Sequence, residues 1–184
     1  MRSPGGERGV RGRRGRLPRR PLPRRRVLIV LLGETHLPRG RRRLPDECVR
    51  LLERADLVLH LGDFTTAAVL EELREYAPVE AVHGNMDDPE LKAGLPIRTV
   101  VEAAGMRIGL IHDPGPREGR HDRLRAWFPS CDLIAYGHTH LPEVARVGEA
   151  WIVNPGSPTE RRRAAAHTLI VVERAEPELM DVAS

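Results

Sequence analysis

Apolar residues along this chain gather in short blocks that alternate between two patterns. Val27-Leu28-Ile29-Val30-Leu31-Leu32 is continuous and rich in β-branched residues, which predicts a strand buried on both faces. Pro45 to Ala55 instead places Cys48, Val49, Leu51 and Leu52 on one side of a helix. The pair of patterns then repeats, with a strand over Leu57 to Leu61 and a helix over Thr66 to Tyr76 capped by Thr65 or Thr66. A third strand follows over Val79 to His83.

The second half changes style. Ile97 to Glu102 and Met106 to Ile111 predict a hairpin turning near Ala104-Gly105. Gly119 to Phe128 predicts a helix and Asp132 to Tyr136 the strand after it. Glu143 to Val147 and Trp151 to Val153 make a hairpin around Gly148, and Thr168 to Val172 and Glu178 to Val182 are closing strands. A βαβ beginning followed by hairpins points to a mixed sheet, or two stacked sheets, with helices outside.

Composition bounds the setting. The chain of 184 residues is the size of one domain. Its longest apolar run, Val27 to Leu32, is too short to cross a bilayer, so the expectation is a soluble protein with no membrane partner. Two distant cysteines, Cys48 and Cys131, argue against a disulfide framework and for a reducing, cytoplasmic compartment. The net charge of +4 conceals an asymmetry, because residues 1–26 carry eleven arginines against Glu7 alone, a balance of +10. Residues 27–184 therefore sum to −6. The arm over residues 1–26, mostly Arg, Gly and Pro with almost nothing apolar, cannot bury enough surface to offset its ordering entropy and is expected to be disordered. It reads as a solvated tail, and nucleic acid is a partner only through it.

Chemistry-bearing residues collect where the strands end. Gly33-Glu34-Thr35-His36 follows the first strand, Gly62-Asp63 the second, Gly84-Asn85 the third, His112 the fifth, and Tyr136-Gly137-His138-Thr139-His140 the strand after the last helix. In open α/β sheets the carboxyl ends of strands are where sites form. Glu34, His36, Asp63, Asn85, His112, His138 and His140 together offer four imidazoles, two carboxylates and an amide oxygen. That set suits two divalent cations sharing a carboxylate, with Asp63 as the bridge.

At this point the chain resembles the calcineurin-like metallophosphoesterase superfamily, whose pattern is Asp-x-His, Gly-Asp, Gly-Asn, a lone His and Gly-His-x-His. Its small size, Asn85-Met86-Asp87 and the Gly-His-Thr-His block look most like the small YfcE-like phosphodiesterase branch. The resemblance implies a 27–184 domain folded as a four-layer αββα sandwich of two mixed sheets flanked by helices. It implies one metal on Glu34, His36, Asp63 and His140, and a second on Asp63, Asn85, His112 and His138. The implied cofactors are two divalent ions, Mn²⁺ first, then Fe, Zn²⁺ or Ni²⁺, with Asp63, Asn85 and His138 doing catalytic work. The implied reaction is hydrolysis of phosphodiesters by a hydroxide bridging the two ions, on a phosphate-ester small molecule or nucleotide-like substrate.

Two positions depart from that pattern. Glu34 stands where the family has Asp, which carries the carboxylate one methylene further. Met86 stands where larger relatives place a His that protonates the leaving group, leaving Asp113 and His121 as candidate acids. Among the remaining residues, His60 and His83 are expected as packed histidines within strands, and His121 and His167 at the surface. Asp87 and Asp88 are read as caps of a short helix, with Asp87 alternatively a support standing behind the metal ligands. Arg39, Arg41, Arg42, Arg43, Arg161, Arg162 and Arg163 are bidentate phosphate donors or a solvated face. The competing function is a binding scaffold with a decayed site, as in a eukaryotic retromer subunit of the same fold. Assembly is open between monomer and homodimer.

Overall fold

The computed structural model describes residues 27–40 and 42–183. The basic arm and Arg41 lie outside the described residues, and with them the expectations of a disordered tail and of a nucleic-acid contact.

The continuous apolar run becomes β1 (Ile29–Leu32), buried throughout because both of its faces are covered. It pairs in parallel with β2 (Leu57–His60), which pairs in parallel with β3 (Val79–Ala81). On its other side lies β9 (Thr168–Glu173), antiparallel, followed by β10 (Glu176–Asp181), so the order is β10-β9-β1-β2-β3. The second sheet has the order β4-β5-β6-β8-β7, built from β4 (Arg98–Ala103), β5 (Met106–Ile111), β6 (Leu133–Tyr136), β7 (Glu143–Val147) and β8 (Ala150–Asn154). In it β5, β6 and β8 run parallel, and β4 and β7 are antiparallel edges.

Strand alternation divides the core into three slabs. Ile29 and Leu31 face the second sheet and pack with Leu59, Ile108, Leu110, Leu133 and Val153. Val30 and Leu32 face outward, onto Cys48, Leu52, Leu70 and Leu73 of α1 (Asp46–Leu52) and α2 (Ala67–Arg74) and onto Leu91 of α3 (Pro89–Gly94). On the opposite side α4 (Arg120–Trp127) covers Ile134, Tyr136 and Ile152 through Leu124. The result is the expected four-layer αββα sandwich of two mixed sheets.

The differences from the sequence reading are local. β3 ends at Ala81, so His83 stands in the following loop and not in a strand. Thr66 occupies the start of α2 but makes no side-chain cap. The cap comes from Asp88, whose Oδ2 accepts from the Ala67 N–H at 3.3 Å while its Oδ1 accepts from the Leu91 N–H of α3 at 2.8 Å. Cys48 and Cys131 are buried free thiols.

Candidate metal centre

The parallel strands β1, β2 and β3 of one sheet and β5 and β6 of the other end on the same side of the sandwich, and the loops beyond them meet across the mouth between the sheets. Backbone hydrogen bonds stitch the loops together. The Glu34 N–H donates to Gly62 O at 3.1 Å, the His36 N–H to Asp63 O at 2.9 Å, and the Gly137 N–H to His112 O at 3.0 Å. Five of the seven donors, Glu34, His36, Asp63, His138 and His140, hold positive φ between 45° and 65°. Non-glycine residues seldom take this left-handed region, and it clusters at functional sites where surrounding structure enforces it.

The preceding glycines have a steric cause. A Cβ on Gly84 would stand 2.1 Å from Asp63 Oδ1, and one on Gly137 would stand 3.0 Å from Glu34 Oε1 and 3.2 Å from His112 Nδ1. Each carboxylate passes over backbone that has no side chain to block it.

The predicted donors converge in two groups. In the first, Glu34 Oε2 lies 2.9 Å from His140 Nε2 and 3.2 Å from His36 Nε2, and the two imidazole nitrogens are 3.4 Å apart. In the second, Asn85 Oδ1 lies 3.0 Å from both His112 Nε2 and His138 Nδ1, which are 3.3 Å from each other. Asp63 spans the pair, with Oδ2 3.8 Å from His36 Nε2 and Oδ1 3.6 Å from His112 Nε2. Glu34 spans it too, since Oε1 accepts from the His138 N–H and lies 3.5 Å from His112 Nδ1. Two groups, Glu34-His36-His140 and Glu34-Asp63-His112, have ligand atoms all within 4.8 Å of one another, and Glu34 belongs to both.

Hydrogen bonding away from the centre leaves lone pairs facing lone pairs. His140 Nδ1 is 3.0 Å from Glu160 O and His112 Nδ1 is 2.7 Å from Leu61 O, so each ring places its proton on the carbonyl side. In the neutral imidazoles the bare Nε2 then faces Glu34 Oε2 in one case and Asn85 Oδ1 in the other. A proton or a cation has to sit between such groups, and mixed N and O donors on buried carboxylates suit a divalent ion.

The titration behaviour agrees. Burial favours the neutral acid of Glu34, but hydrogen bonds with His140 and His36 and the charge of His112 outweigh it and hold the carboxyl well below the usual range. Burial and the Glu34 charge push Asp63 up, against His112 and the Met86 N–H. Burial tends to lower His140, yet its contact with Glu34 raises it.

Supports surround the donors. Asp87 Oδ2 accepts from the N–H groups of Gly84 at 2.7 Å and Asp63 at 3.1 Å, and its Oδ1 from Thr65 at 2.9 Å. Asp87 is therefore a clamp on two ligand loops, not a helix cap. Asn154 Nδ2 donates to Gly137 O at 3.0 Å, and Ser157 Oγ to Glu34 O at 2.8 Å, so the Asn-Pro-Gly-Ser turn holds both motif loops. His60 is the packed histidine expected, stacked on Phe64 at 3.5 Å and pushed down to about 3 by burial.

His83, half-buried, lines a cavity of about 240 Å³ beside the second group, together with Gly84, Asn85, Lys92, Ile97, Ile111, His112 and Asp113. His121 lies 2.8 Å from Glu143 in a separate cavity with Arg117 and Arg120, and both His121 and His167 are half-buried. Among the arginines, Arg42 Nη2 donates to Glu160 Oε1 at 3.0 Å, while Arg39, Arg43, Arg161, Arg162 and Arg163 are exposed. Sequence reasoning missed Glu160, whose Oε2 comes within 3.8 Å of His36 Nε2. Its neighbours in the chain are arginines, and no strand end marks it.

Comparison with known proteins bears on this site. The calcineurin-like phosphoesterase superfamily domain matches residues 27–176. A probable metallophosphoesterase of Methanothermobacter thermautotrophicus is 32% identical over 157 residues, covering 84% of this chain and 90% of that protein. Another, from Methanocaldococcus jannaschii, is 34% identical over 139 residues, covering 74% of this chain and 70% of that protein. Among solved structures, wild-type Vps29 from Entamoeba histolytica, complexed with Zn²⁺, shares the fold at a TM-score of 0.68 and 22% identity, covering 85% of this chain and 99% of that one.

Proposed function

The chain belongs to the calcineurin-like phosphoesterase superfamily, and from that premise we propose that it hydrolyses phosphodiesters at a two-cation centre between the sheets. The observation that carries this reading is the pair of donor groups joined through Glu34 and Asp63. Glu34, His36, Asp63 and His140 would hold one ion, and Asp63, Asn85, His112 and His138 the other. Such ions, when bound, lower the pKa of water and neutralise phosphoryl charge. Mn²⁺ is the first metal to try.

The chain's own residues do the rest. Asn85 and His138 are exposed and meet the substrate from solvent, whereas Glu34, His36 and His140 are buried beneath them. The Met86 N–H donates to Asp63 Oδ1 at 2.8 Å and fixes that carboxylate toward both groups. Met86 itself is exposed and offers no proton to a leaving group. That favours esters whose leaving oxygen is already stable as an anion.

The cavity beside Asn85 favours diesters over monoesters. Ile97, 68% exposed at its rim, and the side chains of His83 and Ile111 offer an organic second ester group a surface to cover. A monoester brings an additional charge and no group to fill that space.

The test is turnover of bis(p-nitrophenyl) phosphate against p-nitrophenyl phosphate by protein loaded with Mn²⁺. Diester hydrolysis that stops with a chelator, and that falls by about 100-fold or more in Asp63→Asn, is the expected result. Absence of diester turnover with two ions bound would remove the proposal and leave the scaffold reading in its place.

A further inference from the structure

Glu160 lies outside the motif blocks, yet its geometry points inward. Its Oε2 is shielded from solvent and has no hydrogen-bond partner, a state that a buried carboxylate oxygen seldom keeps. The same atom is 3.8 Å from His36 Nε2, the distance at which Asp63 Oδ2 stands from that nitrogen, and 3.8 Å from Arg162 Nε. Its other oxygen, Oε1, accepts from Arg42 Nη2 at 3.0 Å, which fixes the carboxylate in place. Glu160 O in turn lies 3.0 Å from His140 Nδ1, so one residue holds the ring of one donor and aims a free oxygen at another. The turn that carries it is pinned from behind, because Ser157 Oγ accepts from the Glu160 N–H at 2.8 Å and donates to Glu34 O at 2.8 Å.

We propose that Glu160 is a further carboxylate ligand of the cation held by Glu34, His36 and His140, and that Arg42 is the residue that positions it. This rests on the two-cation reading of the centre. With it, the buried half has three carboxylates, Glu34, Asp63 and Glu160, against two imidazoles. An excess of hard oxygen donors favours six-coordinate ions such as Mn²⁺ over Zn²⁺, which is content with four ligands rich in nitrogen. The departure of Glu34 from the family's Asp therefore does not leave this half poor in charge.

Calorimetric titration of the chelator-treated chain with Mn²⁺ and with Zn²⁺, in wild type, Glu160→Gln and Glu160→Ala, tests the proposal. The expected result is two ions in wild type, with the affinity of one of them for Mn²⁺ weakened about 10- to 100-fold in both variants and Zn²⁺ affected less. Arg42→Gln should reproduce part of that loss and Arg42→Lys restore it. In the Co²⁺-loaded protein, the visible absorption of one ion should strengthen in Glu160→Ala as its coordination number falls. Two ions bound with wild-type affinity and an unchanged Co²⁺ spectrum in both Glu160 variants would overturn ligation by Glu160 while leaving the centre intact. Failure of wild type to bind two ions would overturn the centre itself.

Discussion

The two halves of the donor set are built differently. Glu34, His36 and His140 are buried, and backbone hydrogen bonds hold the loops that carry them. Around Asn85 and His138 those two donors are exposed, His112 alone is buried, and an apolar-lined cavity opens to solvent. On the proposed two-cation reading the difference is a division of labour: the buried half would retain an ion, and the open half would present one to substrate. Asp63 and Glu34, each with an oxygen toward either half, couple the two.

Removing the coupling should have the largest effect. Glu34→Ala is expected to lose both ions and to reduce turnover by more than about 100-fold, read as metal content after gel filtration alongside diester hydrolysis. A variant that keeps one ion would mean that Glu34 serves only one half.

Next comes the asymmetry itself. His36→Ala should lower thermal stability, measured with chelator present, by about 1–3 kcal/mol, because it empties a buried polar position. His138→Ala, at an exposed position, should change it by less than about 0.5 kcal/mol while still abolishing turnover. Equal losses of stability would erase the distinction.

The open half can be probed by charge. Ile97→Glu, at a rim position that no core contact needs, should weaken kcat/KM for an aryl diester about tenfold, the scale of losing one buried apolar contact. A methyl aryl diester whose methyl end occupies the cavity should be affected less.

A smaller effect belongs to the floor of the buried half. His60 lies 3.2 Å from Thr35 Oγ1, and burial depresses its pKa to about 3. The unfolded chain takes up a proton near the ordinary histidine value and the folded chain does not, so His60 stabilises fully above about pH 6.5. That contribution fades as pH falls from there toward 3. Between pH 6 and 5 the wild type should lose about 1 kcal/mol more stability than His60→Gln, measured by denaturant unfolding at each pH.

The parts of this site legible in the sequence are those with a local signature. A donor that follows an apolar strand through a glycine can be found by reading along the chain, because the strand must be buried and the glycine must let a side chain pass. His83 falls outside the strand its sequence suggests because the run of strand-forming residues continues past the last ladder pair at Ala81. Asp88 caps the short helix through the Leu91 N–H as expected, but the contacts of Asp87 and Asp88 to the Asp63 and Ala67 N–H groups span 24 and 21 residues, and only the closed sheet brings them near. Glu160 was invisible for the same reason, since nothing in Thr159-Glu160-Arg161 tells an inward carboxylate from an outward one. The Arg42 contact that orients it spans 118 positions.

The left-handed turns at five donors carry one more consequence. A loop forced into an uncommon conformation by hydrogen bonds to its neighbours has already lost its freedom when the chain folds. Little entropy is left for an arriving ion to take away, so the receptor is preorganised. Metal capture should then be governed by how quickly the ion sheds its water shell, and the metal-free and loaded proteins should differ by side-chain rotations with the loops in place.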